Sequence, residues 1–336
     1  MPTPAHKRSA ALDAVRVLGV AAVVVGHAIP DEGFRTALFG WHVPLFFFLS
    51  GYLWKRNRNG IRDEWRSRWR SLAGPYLFWL AVIGVPYAIV LVTTSAERDL
   101  DDWIGPLLGG ANANEPFTTF WFLSVLLFSV LLFRVVMALP LPFVWLVAAT
   151  GLLAGYLIGP QLAFSPLGIG SALPCLVFLL AGFLLRQPIE WLTGRHPAPR
   201  LLLGLLLTVV PEVLVVAGVV EPFDIKFGNW GTPVAAVAVA VAISAGLVVV
   251  ADLVYDEMPR PVERATIGLA FASLCVVLVH PVVQWASRPF EVNPLVSAAL
   301  MLVIPWAIGS ALRHTRLSWW ATGTPRAGRP AAVAAG

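Results

Sequence analysis

The chain has 336 residues, of which 58% are apolar and 13% charged, and its formal net charge is +5. A soluble domain carries about 25% charged residues and has too little interior to bury so much apolar surface. Soluble enzymes, disordered chains and disulfide scaffolds are therefore excluded. The basic balance does not indicate nucleic acid, because Lys and Arg stand in short loops between apolar runs, as they do beside an anionic membrane surface. The composition predicts an all-α polytopic integral membrane protein.

Ten apolar segments approach the length of about 20 residues that a helix needs to cross a bilayer. They are 12–29, 37–53, 72–94, 117–139, 141–159, 168–186, 201–220, 232–252, 265–285 and 294–312. The first is not interpreted as a cleaved signal peptide, because Asp13 and Arg16 interrupt its apolar run. The predicted organisation is a cytoplasmic segment 1–11, a ten-helix transmembrane domain 12–312, and a basic, disordered cytoplasmic tail 313–336.

The distribution of positive charge predicts the orientation. With the amino terminus in the cytoplasm, eighteen of the 24 Lys and Arg residues fall in inside segments and four fall outside. The inside residues are Lys7, Arg8, Lys55, Arg56, Arg58, Arg62, Arg66, Arg68, Arg70, Arg186, Arg195, Arg200, Arg260, Arg264, Arg313, Arg316, Arg326 and Arg329. The outside residues are Arg35, Arg98, Lys226 and Arg288. An even number of spans then places both termini in the cytoplasm. The composition is typical of a protein of the bacterial cytoplasmic membrane.

The first helix carries three ionisable residues, Asp13, Arg16 and His27. Because such groups are costly in lipid, each is a candidate functional residue. Asp13 and Arg16 are three residues apart and can pair. Arg16 and His27 share one helix face roughly 16 Å apart along the axis. The alternative interpretation is a pair of anchors, with Arg16 reaching the inner surface and His27 the outer one.

Two further histidines are predicted at the depth of His27, near the outer face. His42 opens the second span, and His280 precedes Pro281 late in the ninth span. Histidine is the side chain best suited to proton transfer near neutral pH. Three histidines could also bind zinc, but the short spacing of a zinc motif is absent, so no metal is expected.

The first inside loop is rich in arginine, with Arg66, Arg68 and Arg70 leading into the third span. Guanidinium groups bind phosphates through several directed donors. A phosphorylated cytoplasmic ligand is therefore one interpretation, and a topology signal with lipid contacts is the other. Trp121 begins the fourth span near the outer face, where it could stack on a sugar ring or belong to an aromatic belt.

These motifs resemble the membrane-bound acyltransferase-3 family. Asp13-x-x-Arg16 followed by His27 resembles its first-helix signature, and the run from His42 to Tyr52, which includes Ser50, is closest to the fucose 4-O-acetylase-like group. Three further runs resemble later family motifs and occur in the right order. They are the basic residues that lead into the third span, the run Trp121-Phe122-Leu123, and the pair His280-Pro281.

The resemblance implies transfer of an acyl group, usually acetyl, from cytoplasmic acetyl-CoA or another acyl-CoA to a hydroxyl of a carbohydrate or lipid-linked glycan. It implies that Arg16 and His27 are required and that the basic residues hold CoA. We expect His27 to act as general base, with Arg16 and Asp13 completing the catalytic set. Donor binding is assigned to Arg16, Arg66, Arg68 and Arg70. Acceptor binding is assigned to His42, Ser50, Trp121 and His280.

The competing hypothesis is a flippase or exporter of a lipid-linked glycan without acyl transfer. The expected partners are acyl-CoA, the glycan acceptor and membrane lipids, with no nucleic acid. The sequence does not fix the acceptor, the acyl chain length or the oligomeric state.

Overall fold

The computed structural model describes residues 9–55, 60–94, 100–193 and 195–328, and Lys7, Arg8, Arg56, Arg58, Arg98 and Arg329 lie outside these ranges. Most of the described residues are helical, and the described ranges contain no strand beyond an isolated bridge between Asp224 and Asn229. The helices are α1 Ala10–Ala28, α2 Glu32–Phe39, α3 Pro44–Tyr52, α4 Ile61–Arg68, α5 Gly74–Thr93, α6 Leu100–Leu108, α7 Phe120–Val136, α8 Leu141–Ala163, α9 Leu176–Thr193, α10 Pro197–Val216, α11 Ala235–Asp256, α12 Arg260–Ser287, α13 Pro294–Leu312 and α14 Ser318–Thr322. A π-helical turn at Trp69–Ala73 joins α4 to α5.

Seven helices of the described chain are long and apolar enough to cross a membrane, and an eighth span is formed if Pro166–Ala172 and Leu176–Leu192, bent by 49°, count as one. The apolar helix α7 has 17 residues and falls just short of that length. An all-helical polytopic membrane protein is thus confirmed, whereas the predicted number of ten spans is not.

The second predicted span, 37–53, is not one helix. It consists of the end of α2, a turn at 40–43, and α3. Pro44 occupies the first turn of α3, where its missing N–H costs nothing, whereas in the middle of a continuous helix it would remove a backbone hydrogen bond. The break places His42 in a turn.

The interior of the bundle is built around α1, which packs against α11, α12 and α13. Helix α3 packs closely on α9, because Gly51 and Gly182 let the two backbones touch. A Cβ on Gly51 would overlap the carbonyl oxygen of Leu179, and one on Gly182 would overlap that of Phe48. Small residues at such crossings are typical of helix packing in membranes.

The outer helices of the bundle expose large apolar side chains. Leu157 on α8 is 71% exposed, and Leu202 on α10 and Val303 on α13 are similarly exposed. Surface of this kind is stable only against lipid, because in water it would drive aggregation.

The prediction of a disordered tail is wrong for residues 313–328. Within this segment α14 packs against α5, and Ala321 is fully buried. The indole N–H of Trp79 donates to the Ala321 carbonyl oxygen at 2.9 Å, and the Ala327 N–H donates to the Arg313 carbonyl oxygen at 2.9 Å. Buried apolar surface and tertiary hydrogen bonds therefore order a segment whose composition alone indicates disorder.

Candidate active site

A cavity of about 360 Å³ lies at the end of the bundle where α1 terminates, and we call it the histidine cavity. It is lined by three predicted site residues: His27 from the last turn of α1, His42 from the turn before α3, and Trp121 from the first turn of α7. The fold thus brings to one cavity side chains that are far apart in sequence.

Two side chains of helix α12 contact His27. The side-chain amide of Gln284 donates to the carbonyl oxygen of His27 at 3.0 Å. The ring of His280 stands edge-on to the His27 ring, with 5.2 Å between the centroids. Both the backbone and the ring of His27 are therefore positioned by side chains one turn apart on α12.

His280 is fully buried and is not part of the cavity wall. Its Nδ1 lies 2.9 Å from the carbonyl oxygen of Val276. A carbonyl oxygen can only accept, so Nδ1 carries the proton and Nε2 bears the lone pair in the neutral ring. Nε2 has no hydrogen-bond partner among the described residues. The position of His280 gives no support to the predicted contact with the acceptor. Because its ring contacts the ring of His27, His280 is placed to orient His27 instead.

His42 is held in one orientation by its own turn. Its Nδ1 lies 2.6 Å from the carbonyl oxygen of Leu38, and Phe39 packs on the ring with 4.9 Å between centroids. By the same reasoning Nδ1 donates, so Nε2 is the proton-accepting nitrogen of the neutral ring. His42 can therefore accept a hydrogen bond from a hydroxyl group in the cavity.

Four charged side chains that the sequence analysis did not assign to the site also line the histidine cavity: Arg35, Glu115, Asp224 and Lys226. The Lys226 ammonium donates to the Ala113 carbonyl oxygen at 2.9 Å and to Thr118 Oγ1 at 2.7 Å. Burial lowers the pKa of Lys226 to about 8, although the nearby carboxylates of Asp224 and Glu115 act to raise that pKa. In the sequence, positive charge in these loops indicates only membrane topology. The signal for a site at Lys226 is the pair Asp224 and Lys226 inside the otherwise apolar run 223–227.

Two other predicted residues lie away from this cavity. The Ser50 hydroxyl does not line it and donates to the Phe46 carbonyl oxygen at 2.8 Å. The predicted pairing of Asp13 with Arg16 is confirmed, with 3.2 Å between Oδ1 and Nη1 and with Asp13 buried. Neither Asp13 nor Arg16 lines the histidine cavity.

A second cavity, of about 730 Å³, lies where α4 continues into α5, and we call it the arginine cavity. Arg66 and Arg70 line it, together with indole rings. Arg66 also lies 3.9 Å from Asp63, and both side chains are well exposed. Within the described ranges, no carboxylate pairs with Arg70.

Arg68 is not part of this cavity. Its Nε donates to Glu64 Oε1 at 2.7 Å, and the other carboxylate oxygen of Glu64 accepts from Arg134 at 2.7 Å and 3.1 Å. The Arg134 guanidinium also lies over the Trp54 ring, 4.7 Å from its centroid. This buried ion network attaches α4 to the end of α7, and Arg68 belongs to it.

The two cavities lie at opposite ends of the bundle and share no lining residue. Helix α7 contributes Trp121 to the histidine cavity and Arg134 to the ion network beside the arginine cavity. Thirteen residues of helix separate them by about 20 Å. Among the described residues, no three His, Cys, Asp or Glu side chains form a metal-binding group.

The fold and the site together define a polytopic membrane protein with a histidine-lined cavity at one end and an arginine-lined cavity at the other. The family model described as an acyltransferase domain matches residues 9–312, nearly the whole chain. The chain therefore belongs to the acyltransferase-3 family.

The chain is also similar to a curated protein over part of its length. The nodulation protein NolL of Mesorhizobium japonicum is 24% identical over 211 residues, which cover 57% of this chain and 52% of that protein. The chain thus spans about half the length of this relative. No solved structure matches the chain. The family prediction is confirmed, whereas the fucose 4-O-acetylase-like subgroup is not.

Proposed function

We propose that the protein transfers an acetyl or other acyl group from acyl-CoA to a hydroxyl of a carbohydrate or lipid-linked glycan. The observation that carries the proposal is the histidine cavity, in which His27 and His42 share one enclosure with an indole ring and charged side chains. Such a lining suits an acceptor that has both an apolar sugar face and many hydroxyl groups.

In the proposed reaction His27 removes the proton from the acceptor hydroxyl as its oxygen attacks the thioester carbonyl. An unaided hydroxyl is a poor nucleophile at neutral pH, so a base in contact with it is required. The C–S bond then breaks, and the proton held by His27 passes to the departing thiolate. His42 orients the acceptor by accepting a hydrogen bond from a second hydroxyl at Nε2.

The donor enters from the other end, where Arg66 and Arg70 bind its phosphates. We assign Arg68 to the ion network with Glu64 rather than to the donor, because its Nε is already bonded to that carboxylate. Arg16, held by Asp13, stands on the helix that leads to His27, roughly 16 Å away. The pantetheine arm of the donor has a similar length and would pass between the packed helices from the region of Arg16 to His27.

The proposal also includes the setting of the protein. We infer that the arginine end faces the cytoplasm of a bacterium and the histidine end faces outward, because the predicted inside segments carry most of the Lys and Arg residues. The acyl group would then be donated from one side of the membrane and accepted on the other.

The experiment is incubation of the purified protein with radiolabelled acetyl-CoA and a panel of glycans and lipid-linked sugars. We expect label in one class of glycan and release of one thiol for each acetyl group transferred. Movement of a glycan across vesicles with no thiol released would instead identify a flippase or exporter and overturn the proposal.

A further inference from the structure

The arginine cavity contains more than guanidinium groups. Trp65 and Trp69 lie on successive turns and contribute indole rings to its wall, 5.8 Å apart between centroids. Arg66 and Arg70 follow the same four-residue spacing. A third indole, Trp319, comes from α14 in the C-terminal segment.

The backbone beside the arginine cavity departs from a regular α-helix. The turn Trp69–Ala73 is π-helical, and π-helical turns are rare and frequently occur at functional sites. Ser71 and Arg70 of this turn both line the cavity, so the turn forms part of its wall.

Trp319 reaches the cavity because α14 is fixed to α5. The Trp79 indole N–H donates to the Ala321 carbonyl oxygen at 2.9 Å. Gly323 has φ +67° and lies against the Ser71 backbone, where a Cβ would overlap the Ser71 carbonyl oxygen. The C-terminal segment is therefore docked on the turn that carries Arg70, and Trp319 is part of the wall.

Guanidinium groups, which bind phosphate, and flat indole rings around a cavity of about 730 Å³ suit a phosphorylated nucleotide. Arginine binds phosphate through directed donors, and an indole face stacks on a base. A lipid headgroup shares the phosphate chemistry but offers no base to stack.

We propose that Trp319, from the C-terminal segment, stacks on the adenine of the acyl donor whose phosphates Arg70 binds. This inference rests on the proposed function, because it takes acyl-CoA as the donor. It gives the C-terminal segment a role in donor recognition.

The test compares acetyl-CoA with S-acetyl-pantetheine, which carries the same thioester but no nucleotide. The protein is studied in nanodiscs of phosphatidylcholine alone and again with added phosphatidylglycerol. Trp319→Ala is the test variant and Trp320→Ala is its matched control, since Trp320 is the adjacent indole of the same short helix and does not line the cavity.

We expect Trp319→Ala to raise the KM for acetyl-CoA about tenfold, the scale of one lost base-stacking contact. The KM for S-acetyl-pantetheine should stay unchanged, as should both constants in Trp320→Ala. Trp319→Phe, which keeps an aromatic face, should recover most of the affinity and also shows that the segment still folds.

Three results with the variants would overturn the inference. They are equal losses in Trp319→Ala and Trp320→Ala, equal losses for both donors, and a loss seen only with phosphatidylglycerol present, which would identify a lipid headgroup site. If wild-type protein uses both donors with the same KM, the nucleotide site fails while acyl transfer stands. If it transfers acetyl from neither, the proposed function itself fails.

Discussion

The buried carboxylate of Glu64 offers a quantitative test of how the arginine end is held together. It pairs with Arg68 and with Arg134 at 2.7 Å each, and its side chain is 9% exposed. Glu64→Gln keeps the shape but removes the charge, leaving two guanidinium groups facing a neutral amide. We expect this change to lower the free energy of unfolding.

The magnitude follows from the geometry. One ion pair about 4 Å between charge centres is worth about 4 kcal/mol at an effective dielectric constant of about 20. The carboxylate of Glu64 has two such partners, but removing its charge also removes its own desolvation cost. Breaking a buried pair on one side costs about 3–5 kcal/mol, and because Gln can still accept hydrogen bonds we expect about 3 kcal/mol.

The assay is unfolding of the purified protein in mixed detergent micelles with increasing sodium dodecyl sulfate, followed by circular dichroism. The matched control is Glu190→Gln, because Glu190 pairs with Arg186 at 2.8 Å but is 49% exposed. That change should cost less than about 1 kcal/mol. Equal shifts for the two variants would refute the view that burial gives the Glu64 network its strength.

Two further predictions concern helix packing and the histidine cavity. Gly182→Ala places a Cβ against the Phe48 carbonyl oxygen and should destabilise the protein by about 1–3 kcal/mol in the same unfolding assay. Gly84→Ala is the control, because Gly84 has open space around it and the change should not destabilise the protein. Equal effects of the two changes would contradict the close contact between α3 and α9. Because burial lowers the pKa of Lys226 to about 8, its ammonium is present below that pH and lost above it. Lys226 lines the histidine cavity, and we expect its charge to contribute to acceptor binding. The acceptor KM should then rise between about pH 7 and about pH 9 in wild type and stay flat in Lys226→Arg, whose guanidinium remains charged. Parallel profiles would show that Lys226 does not bind the acceptor.

The residues that the sequence identified best are those whose roles depend on local periodicity. Asp13 and Arg16 pair because they are three apart on one helix, and this needs no knowledge of the fold. His27 and His42 reach one cavity because α1 ends beside the turn that begins α3. The sequence shows the charged residue Lys226, but its place in the cavity depends on how the 217–234 connection folds back over residues 113–118, which precede α7.

The sequence was least informative where tertiary contacts override composition. The segment after Arg313 is basic and rich in Ala, Gly and Pro, yet hydrogen bonds and burial against α5 order α14. Likewise, 37–53 has the apolar content of a span but breaks before Pro44. Apolar content alone does not distinguish a continuous helix from two short helices joined by a turn.

The most direct test of the account is the rate of acetyl transfer by His27→Ala at saturating acetyl-CoA and acceptor. His196→Ala is the control, because His196 is exposed and precedes α10, outside the histidine cavity. We expect kcat to fall at least about 100-fold in His27→Ala, the scale of a lost general base, with the KM for acetyl-CoA and the folded yield unchanged. Wild-type kcat in His27→Ala would show that another group removes the proton, and the proposed role of the histidine cavity would be wrong.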